Sequence, residues 1–436
     1  MSKRYQGGVL GVGFNPLQAP NAPTAVTAAG GDASATVSFT APANVGGSAI
    51  TSYAVQSSPG NVGATGASSP ITVSGLTNGT AYTFRVTALN SYGPSPASAA
   101  SNSVTPVAQV IAVAHATSPF VSVYPWSSST GFGAKFANPA TLPTGTGLSV
   151  AFTPTGTAIA VGHSVSPYVS AYPWSGSGFG TKYANPATLP PGAGNGVAFS
   201  PAGSAIAVGH DTSLYITAYP WSGSGFGTKY ANPVTPPTGI GRGVAFSPAG
   251  TAIAVAHDDI PNISAYPWSG SGFGTKYANP ATLPANNGQA VAFSPAGNAI
   301  VIGNSGSPAI TAYPWSGSAF GTKYANPATL PTSTVQGVAF NPAGDVIAAG
   351  HTNTPYITAY PWTVGSGFGT KFANPATLPP SNGSSVDFSS AGDAIAVSHS
   401  LSPYVSAYPW SGSGFGTKYA DPATLPAGVG YGVAFI

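Results

Sequence analysis

At 436 residues and 42% hydrophobic content the chain is long enough for two or three packed domains, yet only 4% of it is charged, against about a quarter in an ordinary globular protein. All eight acids are Asp and the formal charge is +3, which leaves no basic stripe for neutralising phosphates and excludes nucleic acid as a partner. No Cys is present, so disulfides and thiolate-held metals are excluded, and no run reaches the ~18 apolar residues that span a bilayer.

Residues 1–20 read as an N-terminal arm or anchor. The leader MSKRYQGGVLGVGFNPL has a basic start, but its apolar run is short and broken by glycine, unlike a signal peptide. Such a segment is expected to become ordered only against a neighbour in an assembly.

From 21 to 107 the pattern changes to alternating strands, among them ATVSF, SYAVQSS and AYTFRVTAL, separated by Gly, Pro, Asn and Ser. The stretch from Leu76 to Ser98, LTNGTAYTFRVTALNSYGPSPAS, resembles the fibronectin type III family. Tyr82 stands at the tyrosine-corner position and Phe84, Val86 and Ala88 alternate inward. Phe39 occupies the place where that family carries Trp. The resemblance implies a β-sandwich with a spacing or presenting role.

From 108 to 436 one unit recurs every 47 or 48 residues, marked by Trp126, Trp174, Trp221, Trp268, Trp315, Trp362 and Trp410. It reads GVAFSPAG, AIAVGH, YITAY, PWSGSGFG, TKYANPATLP, and predicts four short strands. The third should end at Tyr, because Pro lacks the N–H of an interior strand. The fourth should be outermost and carry Lys135, Lys182, Lys229, Lys276, Lys323, Lys371 or Lys418, resisting edge-to-edge pairing. VAFSPAG followed by AIAVGH and an aromatic-ended strand resembles the WD-repeat family, although Pro-Trp replaces Trp-Asp and the Gly-His before the first strand is missing. The first unit opens in its second strand, and a lone first strand, GVAFI, ends the sequence at 432–436. The expected fold is therefore all-β: a fibronectin type III sandwich followed by a seven-bladed β-propeller closed by the C-terminal strand.

Chemistry on a repeated ring should sit where the repeats differ. His115, His163, His210, His257, His351 and His399, with Asn304 in the fifth unit, each lie eleven residues before a Trp. They could form an imidazole ring for metal or pH sensing; turn closure by hydrogen bonds is favoured, because Asn substitutes. Arg242, Asp258 and Asp259 are the candidate ligand-binding residues, and Asp387 replaces the Ala of a first strand. The Tyr-Pro-Trp aromatics are assigned to packing over sugar stacking. No catalytic constellation, metal site or cofactor motif is found, and the chain is expected not to be an enzyme.

The leader Lys-Arg-Tyr-x-Gly-Gly-x-Leu at residues 3–10 resembles the starts of marine phage virion proteins. That resemblance implies a display protein on the virion surface, in a tail, fibre or capsid decoration. It would be present in multiple copies, joined to other virion proteins through its N-terminal arm, and recognise a host-surface glycan. A secreted or cell-surface bacterial adhesin is the alternative, and a propeller lyase or glycosidase a further one.

Overall fold

The computed structural model describes residues 17–436, all β-structure and connections with no helix among them. The chain parts into two compact units between Ala108 and Gln109. Among the described residues no helix is long and apolar enough to cross a membrane.

The first unit is a two-sheet sandwich. Strands Thr24–Gly31, Ser34–Thr40 and Ile71–Ser74 form one sheet, and Gly63–Gly66, Ser52–Ser58, Thr83–Asn90 and Gly93–Pro94 the other. Strict alternation builds it: Ala35, Val37 and Phe39 are buried while Thr36 and Ser38 face out. Phe39 fills its place by packing on Tyr53, ring centroids 4.8 Å apart. The Tyr82 hydroxyl accepts a hydrogen bond from the Thr77 amide at 3.1 Å, and this holds the phenol below its usual range. Beside strand Thr83–Asn90 the chain runs with a period of three. Ser101, Ser98 and Ser95 accept, through their hydroxyls, from the amides of Phe84, Val86 and Ala88.

The leader motif at 3–10 lies outside the described residues. The end of the expected arm belongs to the sandwich instead. The Gln18 amide donates to the Gly46 carbonyl at 2.9 Å, the Asn90 amide donates to the Gln18 carbonyl at 2.9 Å, and Pro20 is buried.

The second unit contains seven antiparallel sheets, none closed on itself. Sheet 2 is typical, with strands Gly147–Phe152, Ala158–His163 and Val169–Pro173. Sheet 1 combines both ends of the unit: Gly430–Phe435 pairs with Val110–His115, which pairs with Val121–Ser127. The second strands are wholly buried, and their alternation of small and large residues sorts two faces. Ala158 and Ala160 meet Val197, Phe199, Ile206 and Trp221 of sheet 3. Ile159 and Val161 meet Val110, Ala112 and Val121 of sheet 1. The same arrangement recurs between every consecutive pair, and Ala394 and Ala396 of sheet 7 meet Ile111, Val113 and Phe435 of sheet 1. Burying each such Ile or Val contributes about 1.5–3 kcal/mol.

Two strand expectations are corrected. The third strand includes its Pro: Ala158 pairs with Pro173, and the Pro173 carbonyl accepts from the Gly180 amide at 2.8 Å. The Pro nitrogen shares that outward side, so its missing N–H leaves the inner ladder intact. The fourth strand is not TKYANPATLP. It shrinks to a Gly-Phe pair beside Trp in three sheets (Gly131–Phe132, Gly272–Phe273, Gly367–Phe368) and to a single Trp–Phe bridge in four. Beyond it, each of the first six lysines donates to the Asn three residues later and Lys418 pairs with Asp421. They are half-buried locks on an irregular segment.

Candidate functional site

Each first strand carries one β-bulge, between Gly147 and Ser149 in sheet 2 and at the equivalent place in the other six. The residue inside the bulge has no ladder partner, and so the strand can aim it away from its neighbours. Those residues are Leu148, Asn195, Arg242, Gln289, Gln336, Ser384 and Tyr431, and all seven line one cavity of about 160 Å³. Six residue types stand at seven copies of this position, in repeats that otherwise nearly coincide. We call these residues the crown.

Beneath the crown the strands crowd together. A Cβ on Gly196 would meet the Arg242 carbonyl oxygen at 2.3 Å, and one on Gly243 would meet the Ala290 Cα at 2.8 Å. Small residues are therefore required there. Farther along the same strands a second cavity is lined by Ala151, Ala198, Ala292, Ala339, Ala434 and, in their register, Asp387. Asp387 accepts from the Phe388 amide at 2.9 Å and the Phe435 amide at 2.8 Å. Burial pushes its carboxyl up to about 7 against the opposing pull of those two amides.

Arg242 and Asp258 meet in a two-pronged ion pair, Nε to Oδ1 at 2.6 Å and Nη2 to Oδ2 at 2.8 Å. Asp259 does not join them. It is exposed, takes a left-handed φ of 61°, and closes its turn by accepting the Asn262 amide through its carbonyl at 2.8 Å. The turns around Asp258 belong to a rim that also varies between repeats. Thr144 donates to the Ser166 carbonyl at 2.7 Å and Thr238 to the Ile260 carbonyl at 2.8 Å, stitching this rim together. Val165, Ile260 and Leu401 stand exposed on it.

The histidines lie under that rim, fully buried. His115, His163, His210, His257 and His399 each share a 3.0 Å hydrogen bond through Nε2 with a third-strand Ser or Thr. In His210, His257 and His399, Nδ1 reaches a turn carbonyl at 2.7–2.9 Å. Desolvation pushes five of the six rings down to about 4, and His257 downward as well. Asn304 makes the same connections with its amide turned to donate to the Gly306 and Pro308 carbonyls at 2.8 and 2.9 Å. No cluster of three or more metal-ligating side chains exists among the described residues. Every Trp is caged by three rings at its edge or face, as Trp174 is by Phe136, Phe152 and Phe179.

Of the crown, sequence reasoning found Arg242 alone. The signal for the others was the variability of a single column across the repeats, which draws less notice than a lone charge.

A fibronectin type III domain model matches residues 21–104. No curated protein matches the chain. Among solved structures, a candidate 6-phosphogluconolactonase of Bacteroides uniformis is 13% identical, covering 76% of this chain and 99% of its own, with TM-score 0.58. The periplasmic gluconolactonase of Pseudomonas aeruginosa is 12% identical over 75% of this chain and 99% of its own, with TM-score 0.56. At such identities the likeness is one of fold, and it makes the second unit propeller-like. It also corrects the expectation that the chain is not an enzyme. The same architecture carries proteins named as lactonases, so scarcity of acids is no ground for ruling catalysis out.

Proposed function

We propose that this chain is a surface-recognition protein in which a fibronectin type III module presents a closed seven-bladed propeller, with the crown as its binding site. The carrying observation is that the bulge position diverges across the seven sheets while lining a single cavity. Packing alone gives no reason for near-identical repeats to differ there. Recognition of an asymmetric ligand does, since it needs unlike groups converging on one point. Closure is supported by the seven inter-sheet cores, the last of which joins sheet 7 to sheet 1. The setting we favour is a bacteriophage virion, on the strength of the leader at 3–10, with many copies per particle raising avidity. The reading is tested with the labelled full chain on intact host cells. Arg242→Gln should abolish binding while Asp421→Asn, on the outer segment, leaves it unchanged; equal binding by both would refute it.

A second reading, favoured by the names of the similar structures, is hydrolysis of a sugar lactone at the same crown. Saturable turnover of glucono-δ-lactone, removed by Arg242→Gln, would establish it.

A further inference from the structure

Building on the reading of the crown as the binding site, we propose that its ligand is an uncharged pyranose unit, lying with its C–H face on Tyr431 and Leu148. The hydroxyl edge then faces Arg242, Gln289 and Gln336. The order of sheets makes the crown two-sided. Tyr431 belongs to sheet 1 and Leu148 to sheet 2, whose strands Gly430–Phe435 and Gly147–Phe152 lie against each other, so the two apolar residues fall on one side of the cavity lining. Arg242, Gln289 and Gln336 belong to the consecutive sheets 4, 5 and 6, which in the closed ring proposed above stand across the cavity from sheets 1 and 2. A pyranose has this same division, with an apolar face of axial C–H groups and an edge of hydroxyls that both donate and accept. Amides match such an edge because each offers donors and an acceptor in one plane.

Charge selects against an anion. Asp258 engages Arg242 through both oxygens, so the pair is neutral overall and the crown holds no other ionised group. A carboxylate or sulfate entering here would lose its hydration and gain little attraction. Size agrees: a cavity of about 160 Å³ holds the volume of about five waters, enough for one ring with the rest of a glycan leaving through the open mouth.

The experiment presents the full chain with methyl glycosides of galactose, mannose, glucose, N-acetylglucosamine and N-acetylneuraminic acid. Saturation-transfer NMR gives the bound face and calorimetry the affinity. At least one neutral glycoside should bind, with transfer strongest at the protons of one ring face and no loss at high salt. Tyr431→Ala should weaken it about tenfold or more, and Tyr431→Phe should retain it. Gln289→Ala combined with Gln336→Ala should weaken it comparably. Binding of the acidic glycoside alone, lost at high salt, would overturn the ligand class. So would failure of every glycoside while cell binding still depends on Arg242. Glycoside binding indifferent to all crown substitutions would overturn the ligand assignment and the crown reading together.

Discussion

Asp387 is the one charged side chain at a position that its six counterparts keep neutral, and the difference couples stability to pH. Its carboxyl titrates near 7 in the fold and near 3.9 when unfolded. Between those values the folded chain keeps a proton the unfolded chain has lost, so stability falls as pH rises through the window and stays low above it. Asp387→Ala, restoring the residue of the other sheets, should raise the melting temperature at pH 8 and flatten its pH dependence. The gain is about 1–2 kcal/mol, since the two amide hydrogen bonds that leave with the carboxylate offset part of its burial penalty; a lower melting temperature at pH 8 would contradict this. Gly288 shows the opposite constraint. Its Cβ would meet the Asn262 carbonyl oxygen at 2.2 Å, and Asn262 holds that carbonyl there with a φ of 66°. Only in sheet 6 does Val335 stand at this position, and there the preceding turn has Ala309, which lacks a left-handed φ. Three departures, Asn304, Ala309 and Val335, thus occur together at one junction. Gly288→Val without them should destabilise by about 2 kcal/mol or more in denaturant unfolding, and a neutral result would disprove the clash.

Among the elements, the latch of second-strand histidine to third-strand hydroxyl recurs around the second unit. Each ring is held neutral by burial, with a folded pKa below the unfolded value near 6.5. As pH drops from about 6.5 towards 4 the unfolded state gains protons that the folded state refuses, so stability declines on acidification. Six rings acting together should give a steep acid transition, and replacing His163 and His210 by Asn should move its midpoint to lower pH. An unmoved midpoint would contradict the assignment of the acid transition to these buried neutral rings. Much of this level was legible in the sequence: the buried second strands, the turn chemistry, and the interchange of His with Asn. The fourth strand was not, because TKYANPATLP has apolar residues at strand-like spacing while its Lys–Asn locks and prolines fix it in an irregular path. The bulges were equally hidden, since Gly-x-Gly before Val reads as an ordinary strand entry. A bulge is a property of the pairing, and the partner strand must be known before it can be seen.

On the scale of the whole molecule, the seven sheets share one division of labour. The six turns after the first strands all close on a left-handed Gly, as at Gly203, and each Trp keeps its cage of three rings, whereas the crown and its rim vary. The return of Gly430–Phe435 to Val110–His115 joins the ends of the second unit, and the Tyr124 hydroxyl donates across that seam to the Thr424 carbonyl at 2.8 Å. Removing residues 430–436 should lower the melting temperature sharply by baring a sheet edge and opening a core; an unchanged transition would refute closure. The sevenfold repeat was readable from the tryptophan spacing, but the crown required seven strand registers to converge on one cavity. The decisive measurement is the affinity for host cells of a chain whose crown has been made uniform, with Leu148, Asn195, Arg242, Gln289, Gln336 and Tyr431 all changed to Ser to match Ser384. Loss of cell binding with the melting temperature nearly preserved is the expected result. A uniform crown that binds as tightly as the native one would contradict the assignment of recognition to these seven positions.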